Sequence, residues 1–383
     1  MKGALVTNRG RLLPSDALSC FFFFTAAGGY YSLLTSRMPA IKAGAGIGDA
    51  EVGLALLCLG AASVTGLLFC GRLIRRYTSA RLLRVSSAAL FLLLPLAGLA
   101  PGKFSLFAVF AGLGLAVAIF DVCMNTQAIL LEAHSRSRLM GRMQAGYSLG
   151  CILGAALGAA FAWAGAGAFA NFLFFSLVCL ACRAPAGRHL QEDIPRRDAA
   201  RRPRLPLFVY FCGFMEICAF SSEGVVGDWG SIFLHSVKGA PESTAALSFG
   251  AAAAAMALVR LFTDHLRERL GDATLLAAGG LLVAAGFVVA IAADSPAVCL
   301  AGFFLAGAGV APAVPIVMSR AGSCPGVDPG AACSAVSTIG YGTLLFLPPL
   351  LGSVSDSIGM EKAFLIPIAF ALLLAAGSLA FRK

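Results

Sequence analysis

Long apolar runs, separated by short polar clusters, make up almost the whole chain. Alternating polarity of the kind a half-buried strand needs is absent, and Ala, Leu and Gly fill the runs, so the expected elements are helices. A helix needs about 20 apolar residues to cross the hydrocarbon of a bilayer. Runs of that size lie at 16–37, 51–73, 82–100, 104–131, 140–163 and 166–184. Others follow at 206–235, 243–265, 272–292, 296–319, 330–353 and 361–381. The pattern predicts an all-α membrane protein with twelve transmembrane helices.

The polar clusters add an orientation, because basic residues favour the cytoplasmic side. Lys2, Arg9 and Arg11 precede the first run, and Arg72, Arg75, Arg76, Arg81 and Arg84 separate the second from the third. Arg136, Arg138 and Arg142, the arginines from Arg183 to Arg204, and then Arg260, Arg267, Arg269, Arg320, Arg382 and Lys383 fall on the same side if every crossing alternates. Of the 29 basic residues only Arg37, Lys42, Lys103, Lys238 and Lys362 fall on the other. Both termini are therefore expected in the cytoplasm, with the chain in a bacterial inner membrane. The first apolar run reads as an uncleaved helix rather than a signal peptide, since further spans with alternating flanks follow it.

One polar stretch is long enough to be a linker. Residues 185–205 hold Arg196, Arg197, Arg201, Arg202 and Arg204 beside Glu192, Asp193 and Asp198. They divide the chain into an N-terminal six-helix bundle at 1–184 and a C-terminal one at 206–383. The halves carry weak internal matches. Asp49-Ala50-Glu51 opens the second helix and Ala240-Pro241-Glu242 the eighth; Gly146-Tyr147 in the fifth corresponds to Gly340-Tyr341 in the eleventh. Parallel six-helix repeats are a transporter feature.

Composition removes competing classes. Of the 383 residues 59% are hydrophobic and 13% charged, against roughly 25% charged in soluble domains. The net charge of +10 would suit a nucleic-acid partner only as a stripe on a folded surface, and here it sits in loops between spans. The expected partner is the lipid bilayer, not nucleic acid. Most of the 12 cysteines, Cys58, Cys70, Cys123, Cys151, Cys212 and Cys299 among them, lie inside apolar runs and read as small packing residues. Cys179 and Cys182 form a CxxC, but within the sixth run, and His134, His189, His235 and His265 make no zinc spacing with the cysteines. No metal or cofactor is expected.

Twelve helices, a basic central loop and a basic loop between the second and third helices resemble the major facilitator superfamily. Gly71-Arg72-Leu73-Ile74-Arg75-Arg76 is similar to its G-x-L-x-D-R-x-G-R signature, with Arg75 where that motif has an acid; the second-half copy keeps Asp264, followed by Arg267. The resemblance implies two pseudo-symmetric six-helix bundles and a loop that works as a cytoplasmic latch, with Arg72, Arg76, Asp264 and Arg267 as gating residues. Asp121-Val122-Cys123-Met124-Asn125-Thr126-Gln127, Tyr147-Ser148-Leu149-Gly150, Glu223-Gly224 with Asp228-Trp229, and Gly340-Tyr341 with Pro348-Pro349 resemble the YbjJ-like inner-membrane branch. Relatives often have histidine where Gln144 stands.

Charged groups within a span are rare and usually face a cavity or a partner. Asp121 and Asn125 are i and i+4 on the fourth helix, hence on one face. Asp121 and Glu216 each lie about ten residues, ~15 Å, from an inner helix end. Both are candidates to bind a proton or solute, and the alternative is a buried acid satisfied by helix packing. Glu223 follows two turns above Glu216. Tyr30, Tyr31, Gln144, Tyr147 and Tyr341 could fix a polar solute, or simply bond helix to helix. Arg37 near the outer end of the first helix could pair with Glu223 or Asp228 as an outer gate. Trp229 is expected as an interface anchor. Gly146, Gly150, Gly154 and Gly158 read as a close-contact face, and Pro312, Pro315, Pro348 and Pro349 as bends.

These features predict a secondary active transporter, in which protons are the expected coupling partner and a small-molecule solute the cargo, and which works as a monomer. No nucleotide-binding G-x-x-x-x-G-K-[ST] loop occurs. An efflux antiporter is the nearest alternative, although the fifth helix lacks the proline of the drug-exporter signature. A solute sensor without flux and an intramembrane enzyme are alternatives of other classes. The enzyme reading lacks a nucleophile with its base.

Overall fold

The computed structural model describes residues 14–135, 139–191, 205–325 and 329–381. Twelve of its helices are long and apolar enough to cross a membrane. They are α1 (Ser15–Ser36), α2 (Asp49–Cys70), α3 (Ser79–Ala97), α4 (Lys103–Leu131), α5 (Arg142–Trp163) and α6 (Ala168–His189). In the second half come α7 (Leu207–Val237), α8 (Glu242–Thr263), α9 (Asp272–Ala292), α10 (Pro296–Gly322), α11 (Ala335–Ile358) and α12 (Met360–Phe381). Strands do not occur among the described residues. A short helix, Met38–Ala45, lies between α1 and α2, outside the spans predicted from the sequence.

Local chemistry sets the ends. Thr78 stands at φ 69° before α3, and its hydroxyl accepts from the Arg81 amide. Ser295 caps α10 in the same way, with Pro296 in the first turn, where a missing N–H costs no hydrogen bond. α10 is interrupted where Pro312 predicts it, between Val310 and Ala313. In α11 the interruption falls at Gly342, whereas Pro348 and Pro349 remain inside the helix Thr343–Ile358. α7 ends in a π-turn, Phe233–Val237. Exposed leucines and phenylalanines such as Leu18, Phe104, Leu207 and Leu261 suit a lipid solvent.

The chain forms two compact units. One comprises residues 1–34, 40–47 and 58–199; the other comprises 35–39, 48–57 and 200–383. The second unit thus contains the end of α1 and the start of α2. At the centre of the first unit is a chain of rings, Phe23 of α1 against Phe120 of α4, Phe120 against Phe91 of α3, and Phe91 against Phe175 of α6. The second unit has a counterpart from α7, α9, α10 and α12. Phe233 stacks on Phe364 at 4.3 Å, and Phe287 and Phe303 pack edge-on around them. The contributing helices correspond under a six-helix repeat, first with seventh, third with ninth, fourth with tenth and sixth with twelfth.

Small residues let helix backbones touch. A Cβ on Gly150 would overlap the Thr25 carbonyl of α1, and one on Gly154 would lie 2.6 Å from the Gly29 carbonyl. Gly28 in turn abuts the Tyr147 backbone of α5. In the second unit a Cβ on Gly286 would lie 2.5 Å from the Gly302 carbonyl, and one on Gly302 would lie 2.6 Å from that of Gly286, which joins α9 to α10. Lipid offers no hydrophobic drive between helices, so this packing carries association.

Candidate functional site

In the first unit, α4 presents its acid and amide on one face. The Asn125 amide donates to the Asp121 carboxylate at 3.2 Å and to the Asp121 carbonyl at 2.9 Å, and both side chains are half-buried. Two residues further on, the buried Gln127 amide donates to the Ser79 hydroxyl and to the Gln191 carbonyl, and its oxygen accepts from the Gln191 N–H at 2.7 Å. Gln127 therefore ties α4 to the start of α3 and to the chain after α6. In the sequence it is only one letter of a string. Tyr30 is buried, Tyr31 and Tyr147 are half-buried and Gln144 is exposed. The α1–α5 contact at Gly28 and Gly150 fixes the helices that carry them. Arg76 is exposed and lies over the Tyr77 ring at 5.2 Å. The side chains of Arg72 and Asp264 lie outside the described residues.

In the second unit, Glu216 is 1% exposed, and its Oε2 has no hydrogen-bond partner among the described residues. Against it stands Gly340 of α11, where a Cβ would come within 2.8 Å of Glu216 Cγ. A side chain at this position would crowd the Glu216 stem. Phe220, one turn above, packs on Tyr341 at 5.7 Å. The structure thus brings Glu216, Gly340 and Tyr341 to one α7–α11 seam, a juxtaposition that spacing along the chain cannot reveal. Glu223 is half-buried, and Asp228 is buried.

Arg37 is 1% exposed, with its Nε 3.3 Å from Glu242 Oε1 at the start of α8. Burial lowers the pKa of this guanidinium, and the Glu242 charge opposes that shift. Glu242 is a partner that the sequence reading did not name for Arg37. Beside it, the Ser231 hydroxyl donates to the Thr35 carbonyl at 2.7 Å. Asp356 of α11 accepts from the Asp49 and Ala50 amides, and Ser355 donates to the Asp49 carboxylate at 2.6 Å. An anion at a helix N-terminus is favourable, so Asp356 serves α2 as a cap from a distant part of the chain.

Just beyond α8, Arg267 donates to Asp272 at the start of α9 at 2.8 Å and to Ser319 near the end of α10 at 3.3 Å. Arg320 lies 3.6 Å from the same Asp272 and donates to the Phe381 carbonyl. Arg267 thus has an acid beyond the signature copy. Trp229 corrects an expectation: it is 1% exposed, a core residue of the second unit rather than an interface anchor, because its face of α7 turns inward. Trp163, at the end of α5, is 84% exposed.

Twelve apolar helices with rare buried charges define a multi-pass helical membrane protein. Residues 18–326 match the Major Facilitator Superfamily, and the chain belongs to that family. The superfamily is one of transporters, not enzymes. The chain is 29% identical over 356 residues to an uncharacterized MFS-type transporter of Yersinia pestis, covering 91% of each chain. It is 27% identical to Membrane protein MosC of Rhizobium meliloti, over 100% of this chain and 93% of that one. These relatives mark a multi-pass bacterial membrane protein. Two solved structures share the fold alone. The nucleoside transporter NupG matches at TM-score 0.75 and 13% identity over 96% of this chain and 98% of its own. A D-xylose-proton symporter matches at TM-score 0.77 and 14% identity over 96% and 98%.

Proposed function

We propose that the protein is a secondary active transporter, which moves a small polar solute, neutral or cationic, across the bacterial inner membrane by alternating access and with proton coupling. Its two six-helix halves, 1–184 and 206–383, are the moving parts, both termini are cytoplasmic, and the monomer is the working unit. One observation carries the coupling: Glu216 is an intramembrane carboxylate, 1% exposed, with an oxygen that no described residue satisfies. Ionisable groups inside a membrane span usually face a cavity or a partner and mark proton relays, so this carboxylate suits proton uptake and release. Asp121 is a second carrier or a solute contact, steadied by Asn125. Little basic charge stands at mid-depth, which argues against multi-anionic cargo.

The solute is approached through stability, since a ligand that binds the native state raises apparent stability. Nucleosides and D-xylose, named for the structural neighbours, are the first probes in a thermal-shift screen, followed by neutral and cationic polar solutes. Uptake into proteoliposomes under an imposed pH gradient then tests coupling. Glu216→Gln is expected to abolish gradient-driven accumulation while counterflow continues. Intact gradient-driven transport in both Glu216→Gln and Asp121→Asn would refute the proton-carrier assignment.

A further inference from the structure

In the first unit two cysteines that the sequence reads as packing residues stand together. Cys70 ends α2 and Cys123 lies in α4, 1% and 0% exposed, and their thiols are in hydrogen-bond contact. The Asp121 carboxylate is close enough to act on the Cys70 thiol electrostatically. The approach of these two helices is set by backbone. A Cβ on Gly114 would overlap the Leu59 carbonyl, one on Gly66 would lie 2.9 Å from Ala118 Cβ, and the Ser63 hydroxyl donates to the Gly114 carbonyl at 3.0 Å. Helices held this way keep the two sulfurs in register.

Thiols in hydrogen-bond contact stand further apart than the about 2.05 Å of a disulfide. A direct S–S bond would draw the sulfurs closer, whereas a bridge through one larger atom spans a longer gap. Soft thiol ligands select soft Lewis acids. The neighbouring polar groups on α4, Asp121 and Asn125, are half-buried.

We propose that Cys70 and Cys123 form a dithiol site for a thiophilic ligand that bridges both sulfurs through a single soft atom, a trivalent arsenical being the type. With phenylarsine oxide, two S–H bonds break and two As–S bonds form. The arsenic-bound oxygen leaves as water with both protons, and arsenic stays trivalent, so no electrons are transferred. The occupant joins α2 to α4 beside Asp121. The site goes beyond the transport reading and is read by mass, not flux.

The test treats the purified full chain in detergent with phenylarsine oxide, washes with a monothiol, denatures, and alkylates the free thiols before peptide mapping. Cys70 and Cys123 are expected to be protected together, and 2,3-dimercaptopropanol is expected to restore their alkylation. Cys70→Ser and Cys123→Ser should each lose the monothiol-resistant adduct, while Cys58→Ser keeps it. Full alkylation of Cys70 and Cys123 in the unaltered protein overturns the proposal and needs no variant to fold. So does an adduct confined to the Cys179–Cys182 pair.

Discussion

Asp121 of α4 and Glu216 of α7 are both acids about ten residues from an inner helix end, yet their surroundings differ. Asp121 shares its face of α4 with an amide that donates to it, and is half-buried. Glu216 is fully enclosed, with a glycine opposite and one oxygen unmatched among the described residues. The same residue class at similar helical depth thus gives a steadied carboxylate in one unit and an unsatisfied one in the other. An unsatisfied buried group carries the larger penalty, so the second unit is where replacing the acid should matter most.

That contrast can be broken by experiment. The largest effect is expected from Glu216→Gln, which should reduce gradient-driven uptake tenfold or more, a change of about 1.4 kcal/mol or greater. Gly340→Leu should do nearly as much damage by another route. Its side chain would enter the Glu216 site, and overpacking of about 1–3 kcal/mol should appear as a lower unfolding temperature of the purified protein. Gly150→Leu, at the α1–α5 contact of the other unit, should match it in stability but leave the proton dependence of residual transport unchanged. Asn125→Ala removes the amide from Asp121 and should cost about 1 kcal/mol, the net worth of one hydrogen bond, read as a shift in the pH profile of uptake. If Asn125→Ala outweighs Glu216→Gln, the contrast between the two acids is inverted. The smallest effect belongs to Glu361→Gln. Its carboxylate pairs with Lys238 at 3.2 Å but is 53% exposed, so stability should change by less than about 1 kcal/mol.

The sequence made the helices legible because bilayer thickness dictates their length and few side chains can escape that rule. The Asp121–Asn125 contact was legible for a similarly local reason, the i, i+4 geometry of a helix. Partner choice across the chain was not. Arg37 stood out as a rare outer charge, but Glu242 reaches it only because a separate helix start is folded beside it. Gly340 and Glu216 lie on α11 and α7, and nothing periodic links them. Gln127 acts partly through the carbonyl and amide of Gln191, backbone groups that carry no side-chain signal. The interruption of α11 falls at Gly342, ahead of two prolines that stay inside a continuous helix, so the strongest breaker in a sequence need not mark the break. Cys70 and Cys123 were read singly as packing residues, and only their adjacency gives them chemistry.

The protein has 2 tryptophans, and their burial differs sharply. Trp163 is 84% exposed, whereas Trp229 is 1% exposed in the core of the second unit, its ring N–H without a hydrogen-bond partner among the described residues. A buried indole with no polar neighbour emits toward the blue, and one open to its surroundings emits toward the red. With Trp163→Phe, the remaining emission comes from α7 alone, one helical turn beyond Val225 and on the helix that carries Glu216. The chain then holds its own optical reporter, and solute or proton binding near α7 can be followed by fluorescence without a label.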